Sequence, residues 1–192
     1  MRLPKPKSVS FLARIIKQYI CLTAYFKIKR SCKTQKMKDF FTIKEATHKL
    51  EHYCAYQDRC HEEVVQKLRT MKMDADEIDR IIVQLITDNF LNEERFACSY
   101  ARGKHRIKHW GKIRIVNELK FRKISTTLIK IALKEINDSD YFELFDELAD
   151  KHWETISETN LMKKRKKFCD YFLRKGWENE FIYQKVKELE RL

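Results

Sequence analysis

Proline occurs only at Pro4 and Pro6, and glycine only at Gly103, Gly111 and Gly176. An all-β fold needs frequent turn residues to reverse its strands, so this scarcity excludes one and leaves helices. Three scattered glycines cannot build a G-x-x-x-x-G-K-[ST] loop to cradle a nucleotide's phosphates, and no G-x-S-x-G elbow presents a serine nucleophile. Nucleotide hydrolysis by this chain is therefore not expected, and no enzymatic activity or cofactor is assigned. No run of 18 apolar residues is present, so no membrane-spanning helix is expected. The six cysteines, Cys21, Cys32, Cys54, Cys60, Cys98 and Cys169, form no C-x-x-C pair and no regular framework. Reduced thiols in a cytoplasmic setting are their natural reading.

What the chain does have is a pattern that recurs three times. Val64, Val65, Leu68, Met73, Ile78, Ile82 and Leu85 reappear 51 residues later as Ile115, Val116, Leu119, Ile124, Ile129, Leu133 and Ile136. A third copy, 104 residues from the first, reads Phe168, Cys169, Phe172, Trp177, Ile182, Val186 and Leu189. Cysteine counts as apolar here because a buried thiol behaves as a small hydrophobe. A repeat of this length predicts an array of similar helical units rather than one large core, and points to recognition before chemistry. The expected fold is all-α: three tandem three-helix, helix-turn-helix-like repeats in an elongated, curved array. Their expected bounds are 39–91, 92–137 and 138–192, preceded by an extension over 1–38. The helices are expected at 43–57, 61–71 and 75–87, at 93–107, 111–122 and 126–137, and at 140–156, 161–174 and 179–190. Asp74 and Ser125 stand where N-caps are wanted, Asp74 with Glu77 at capping-box spacing. Before them Lys72 and Lys123 occupy the position held by Gly176 in the third copy, where a left-handed residue should end the helix.

Charge is distributed unevenly behind the net +13. Residues 1–38 hold eleven cations and no acid, residues 39–94 net −6, residues 95–134 net +11 and residues 135–192 net −3. The first 38 residues read as an unstructured basic extension, the alternative being an amphipathic helix that touches anionic lipid or nucleic acid. The middle repeat is a basic island between acidic neighbours. Its twelve cations are opposed within the segment only by Glu118. A solvated face would mix signs to limit repulsion, whereas phosphate binding needs clustered cations that release condensed counterions. Arg102, Lys104, Arg106, Lys108, Lys112 and Arg114 are the first candidates for such a face, followed by Lys120, Arg122 and Lys123. Arg95 is ambiguous, with Glu93 and Glu94 as candidate partners, and Phe96, Tyr100 and Trp110 read as packing.

The other chemical signals are weak. His48 with His52 and His105 with His109 have the i, i+4 spacing of metal ligands, but the second pair sits among cations and neither has an obvious further ligand. Packing or surface histidines are the expected reading, and no metal site is assigned. The acids from Asp138 to Asp150 fit a solvated helix face around Phe142, Phe145, Leu148 and Ala149.

Residues of the basic repeat also carry a resemblance. Leu91-Asn92-Glu93-Glu94-Arg95-Phe96-Ala97, followed by Tyr100, Arg102, Gly111, Arg114, Ile115, Glu118 and Leu119, resembles the signature of the RecX family of recombination regulators. Upstream, Cys54-Ala55-Tyr56-Gln57-Asp58-Arg59-Cys60-His61-Glu62-Glu63-Val64 with Lys67-Leu68 is similar to that family's first-repeat motif, and Phe172-Leu173-Arg174-Lys175-Gly176-Trp177 to its third. The likeness spans Phe41 to Leu192 in the expected order. It implies a three-repeat helical protein that binds the RecA recombinase filament on DNA and lowers its recombinase, ATPase and coprotease activities. DNA would be met through its phosphates without sequence specificity, and neither a small-molecule substrate nor a membrane is implied. Lys123 departs from the glycine many members carry. The alternative is a helix-turn-helix transcriptional regulator, although Thr126, Thr127 and Lys130 are a poor set for reading base edges.

Overall fold

Short polar residues stand immediately before the apolar-periodic segments, and their side chains can satisfy the backbone N–H groups that a helix start leaves unpaired. The computed structural model describes residues 41–191 and contains nine helices among them. The first repeat holds α1 (Ile43–Tyr56), α2 (His61–Thr70) and α3 (Ala75–Thr87). The second holds α4 (Glu93–Lys108), α5 (Lys112–Phe121) and α6 (Thr126–Lys134). The third holds α7 (Asp138–Thr155), α8 (Leu161–Lys175) and α9 (Asn179–Leu189). Each lies within four residues of its expected end. Thr42 with Glu45 and Asp74 with Glu77 form reciprocal capping boxes, while Asn92, Ser125, Asn137 and Asn160 each accept from a first-turn N–H. The extension expected over 1–38 lies outside the described residues.

The turn inside each repeat follows one geometry. Lys72, Lys123 and Gly176 are all left-handed, with φ of 59°, 61° and 81°. In each case the next residue donates its N–H back across the turn: Met73 to the Leu68 carbonyl, Ile124 to Leu119, and Trp177 to Phe172. This closure satisfies the orphan carbonyls at the helix end, and in that conformation a lysine costs about 1 kcal/mol relative to glycine. The opposing benefit is an ion pair of Lys123 with Glu62 at 2.6 Å, but that lysine is 74% exposed and such pairs contribute little. Lys123→Gly should therefore raise the thermal midpoint or leave it unchanged. A clear fall in a calorimetric scan would mean that the pair outweighs the backbone strain.

All 21 positions of the threefold pattern face inward. Val65, Val116, Leu133 and Leu189 are partly buried and the rest are buried. The cores they build are not three, however. The first repeat closes around Leu50, Leu68, Ile81, Leu85 and their neighbours. The second and third share a single core running from Phe96 through Ile115 and Phe145 to Val186. The expectation of separate units is corrected to that extent. Cys60, from the α1–α2 connection, also joins the shared core.

The physical reason for the merger is aromatic mass placed at one seam. Trp177, at the α8–α9 turn, is fully buried with ring centroids 4.5 Å from Tyr141 and 5.0 Å from Phe145. His105 of α4 reaches in from the second repeat, 5.3 Å from Tyr141. Backbone also crosses this seam: Gly111 N–H donates to the Lys175 carbonyl at 3.0 Å and Ile113 N–H to the Gly176 carbonyl at 3.1 Å. Two glycines make that approach possible, since a Cβ on Gly111 would sit 2.2 Å from the Gly176 oxygen.

Candidate nucleic-acid interface

The buried face of α4 is Phe96, Ala97, Ala101 and His105. Helical spacing then puts Arg102 and Arg106 on one flank and Tyr100, Lys104 and Lys108 on the other. The two flanks have different surroundings. Arg102 is ion-paired with Glu135 at 2.7 Å, and both arginines border a depression of about 300 Å³ that also contains Asp140. Lys104, Ile107 and Lys108 line a cleft of about 360 Å³ between the first and second repeats, with Asp58, Glu63 and Arg122 on its walls. The Lys104 ammonium lies 5.1 Å from the Tyr100 ring centre and 5.2 Å from that of Trp110.

The remaining candidates are placed by longer-range contacts. Lys112 pairs with Asp138 at 2.6 Å and lies over the Tyr141 ring. Arg114 covers Trp110 at 4.1 Å and donates to the Arg174 carbonyl. Lys120 is exposed on α5. Arg122 bonds Glu118 at 2.7 Å, reaches Glu63 at 3.9 Å, and lies over Tyr100. Lys123 pairs with Glu62. The nine candidates thus surround the second repeat rather than forming one plane. Among the described residues, Lys104, Arg106, Lys108, Arg114 and Lys120 have no carboxylate partner. Arg122 and Lys123 instead tie the second repeat to α2 of the first.

Arg95 is resolved by the fold: its Nε donates to Asp58 at 2.7 Å, and its Nη2 donates to the backbone carbonyls of Asn89 and Phe90. Ser99 donates to the second Asp58 oxygen at 2.8 Å. Burial alone would push the Asp58 carboxyl up, but these hydrogen bonds and the Arg95 charge outweigh it and hold it below the usual carboxylate range. Burial pushes His105 down, only partly offset by its bond to the Trp110 carbonyl; since a carbonyl can only accept, Nδ1 carries the proton. Lys175, partly desolvated and close to Arg114 and Lys108, is also pushed down, while its Nζ donates to the Lys108 carbonyl at 3.0 Å. Positive charge is therefore concentrated where α4 ends against α8.

His48 and His52 meet ring to ring at 4.6 Å, and no cluster of three or more metal-ligating side chains occurs among the described residues. Nor, among those residues, is any helix long and apolar enough to cross a membrane. Sequence reasoning missed the Asp58–Arg95–Ser99 lock because Arg95 and Ser99 lie 37 and 41 positions from Asp58. It also averaged away a run of cations in α8, which counting charge helix by helix would have exposed.

Comparison with known proteins places these features. Residues 92–133 match the family model described as the second three-helix domain of RecX. The chain is 24% identical over 137 residues to the Regulatory protein RecX of Bacillus cytotoxicus, covering 71% of this chain and 51% of that protein. It is 29% identical over 135 residues to that of Clostridium acetobutylicum, covering 68% and 62%. The chain thus spans about half the length of the first relative and less than two thirds of the second. The crystal structure of RecX from Lactobacillus salivarius superposes with a TM-score of 0.67 at 27% identity, over 78% of this chain and 97% of that one. A second RecX crystal structure, at 21% identity, has the same fold with a TM-score of 0.65, over 75% and 74% of the two chains.

Proposed function

We infer that the chain is a member of the RecX family of regulatory proteins, and from that premise we propose that it binds the RecA recombinase filament on DNA in the cytoplasm and lowers the filament's recombinase, ATPase and coprotease activities. It acts by occupying a surface and carries out no catalysis of its own. The observation that carries the surface assignment is the set of cations at the end of α4, Lys104, Arg106 and Lys108, which the fold does not neutralise. Arg102, Lys112, Arg114 and Lys120 flank them, and Arg122 and Lys123 hold the first repeat alongside. Cations left without carboxylates at the end of one helix are available to phosphates or to acidic walls of a filament groove. Acidic stretches on the neighbouring repeats discourage collapse onto bare DNA and favour a nucleoprotein target.

Reversing Lys104, Arg106 and Lys108 to glutamate should abolish inhibition of filament ATPase while leaving helix content intact. Unchanged inhibition would place the contact elsewhere. Binding to filaments, free recombinase and bare DNA, compared across salt, separates a nucleoprotein target from either component. Recovery of a defined motif from random duplex DNA would instead favour a sequence-specific regulator.

A further inference from the structure

The third repeat is not uniformly acidic. Residues 135–160 carry nine acids and one lysine, whereas 161–175 carry seven cations and the single acid Asp170. Five of the seven are consecutive, Lys163-Lys164-Arg165-Lys166-Lys167, in the first turns of α8. This is an unfavourable place for them. Cations at a helix start oppose its dipole, at about 0.3–1 kcal/mol each in low salt, and adjacent like charges repel. The fold makes little use of them: Lys167 pairs with Glu158 at 2.7 Å and Lys164 lies over Trp153 at 4.4 Å. Among the described residues, Lys163, Arg165 and Lys166 have no carboxylate partner.

The inner face of α8 is spent on the core through Phe168, Cys169 and Phe172. Its outer face therefore presents Lys163, Lys166, Lys167 and, two turns on, Arg174, all of them exposed. Two grooves run beside this row. One, of about 360 Å³, has Lys167, Arg174, Tyr171 and the single acid Asp170 in its lining; the other, of about 420 Å³, has Arg114, Arg174, Phe121 and Glu118, the last already paired with Arg122. They share Arg174, so the row continues from the third repeat onto α5 of the second. From Lys163 to Arg174 the helix rises about 16 Å. That length corresponds to about five nucleotides at 3.4 Å each along a strand.

We propose that this outer face of α8, Lys163, Lys166, Lys167 and Arg174, continued by Arg114, is a second track for a nucleic-acid phosphate backbone. A linear polyanion needs only a spaced row of cations beside a groove, which this is. A lipid surface needs a broad free apolar face, and that of α8 is buried. Its exposed large apolar residues, Leu161 and Met162 at the start and Leu173 near the end, are too few and too far apart to make one. The track adds to the filament reading above without depending on it.

The test is anisotropy of a labelled single-stranded oligonucleotide with the full chain and with its Lys163→Ala/Lys166→Ala/Lys167→Ala variant, over a series of salt concentrations. Alanine keeps the helix, and circular dichroism checks that it has. Removing three phosphate contacts should reduce the slope of log affinity against log salt by about 2. Affinity at low salt should fall about tenfold or more. Equal slope and affinity would overturn the track. So would retained oligonucleotide binding with lost binding to phosphatidylserine vesicles, which would assign the row to lipid. A reduced slope in a chain that never binds recombinase filaments would support the track while sinking the filament reading.

Discussion

Gly111→Ala should destabilise the protein by about 3 kcal/mol or more, through one methyl group. The added Cβ would lie 2.2 Å from the Gly176 oxygen, 2.4 Å from its carbonyl carbon and 2.5 Å from the Trp177 nitrogen. All three are backbone atoms and cannot swing aside. The start of α5 must back away from the α8–α9 turn, stretching the hydrogen bonds from Gly111 and Ile113 to the carbonyls of Lys175 and Gly176. For a chain of this size the midpoint should drop by about 6–12 °C in a thermal scan. Gly103→Ala is the control. It stands in α4 with nothing within 4 Å of where the methyl group would sit, so alanine there should stabilise by about 0.5–1 kcal/mol. A fall of less than about 2 °C for Gly111→Ala would show that the seam yields easily, against the rigidity expected of packed backbone.

Trp177→Ala should act on the same seam by subtraction, at about 3–5 kcal/mol. Its indole is 1% exposed and is ringed by Tyr141, Phe145 and His105. Deleting it leaves a hole that those rings cannot fill without giving up their own contacts. Tyr141 is further fixed by its hydroxyl, which donates to Glu178 at 2.6 Å and accepts from the Lys112 N–H at 3.0 Å, so it cannot slide into the space. Trp153→Ala, at a half-buried indole on the margin of the same core, gives the comparison. Equal losses of midpoint for the two variants would contradict the central position of Trp177.

Helix content and the inward residues were legible because both depend on short spacing. The threefold offset located Leu68, Leu119 and Phe172 as equivalents, and Gly176 announced the left-handed turn that Lys72 and Lys123 also adopt. The merging of two cores was not legible, since periodicity shows which side of a helix is apolar but not which neighbour covers it. The cations are the clearest case. Counting within residues 95–134 found only Glu118 to oppose them, yet Arg102 meets Glu135, Lys112 meets Asp138, and Lys123 meets Glu62. Each partner lies outside that window. A local tally of charge overstates a patch whenever the fold brings acids from elsewhere, so the basic surface is smaller than the sequence indicates and centred on fewer residues.

The two joints of this molecule respond to different disturbances. Asp58, Arg95, Glu62 and Lys123 join the first repeat to the second largely through charge, with Cys60 buried beside them, whereas glycine contact and aromatic rings dominate between the second and the third. Because the Asp58 carboxyl is held low, its contribution is full above the ordinary carboxylate range and is lost as pH falls through its own lower value. Ionic strength weakens the exposed pairs in the same joint. Both agents also reach the Lys112–Asp138 pair at the other joint, but the backbone contact and buried rings there answer chiefly to volume. If the chain sits on DNA as proposed, the counterions condensed on that polyelectrolyte would loosen the first joint more than the second.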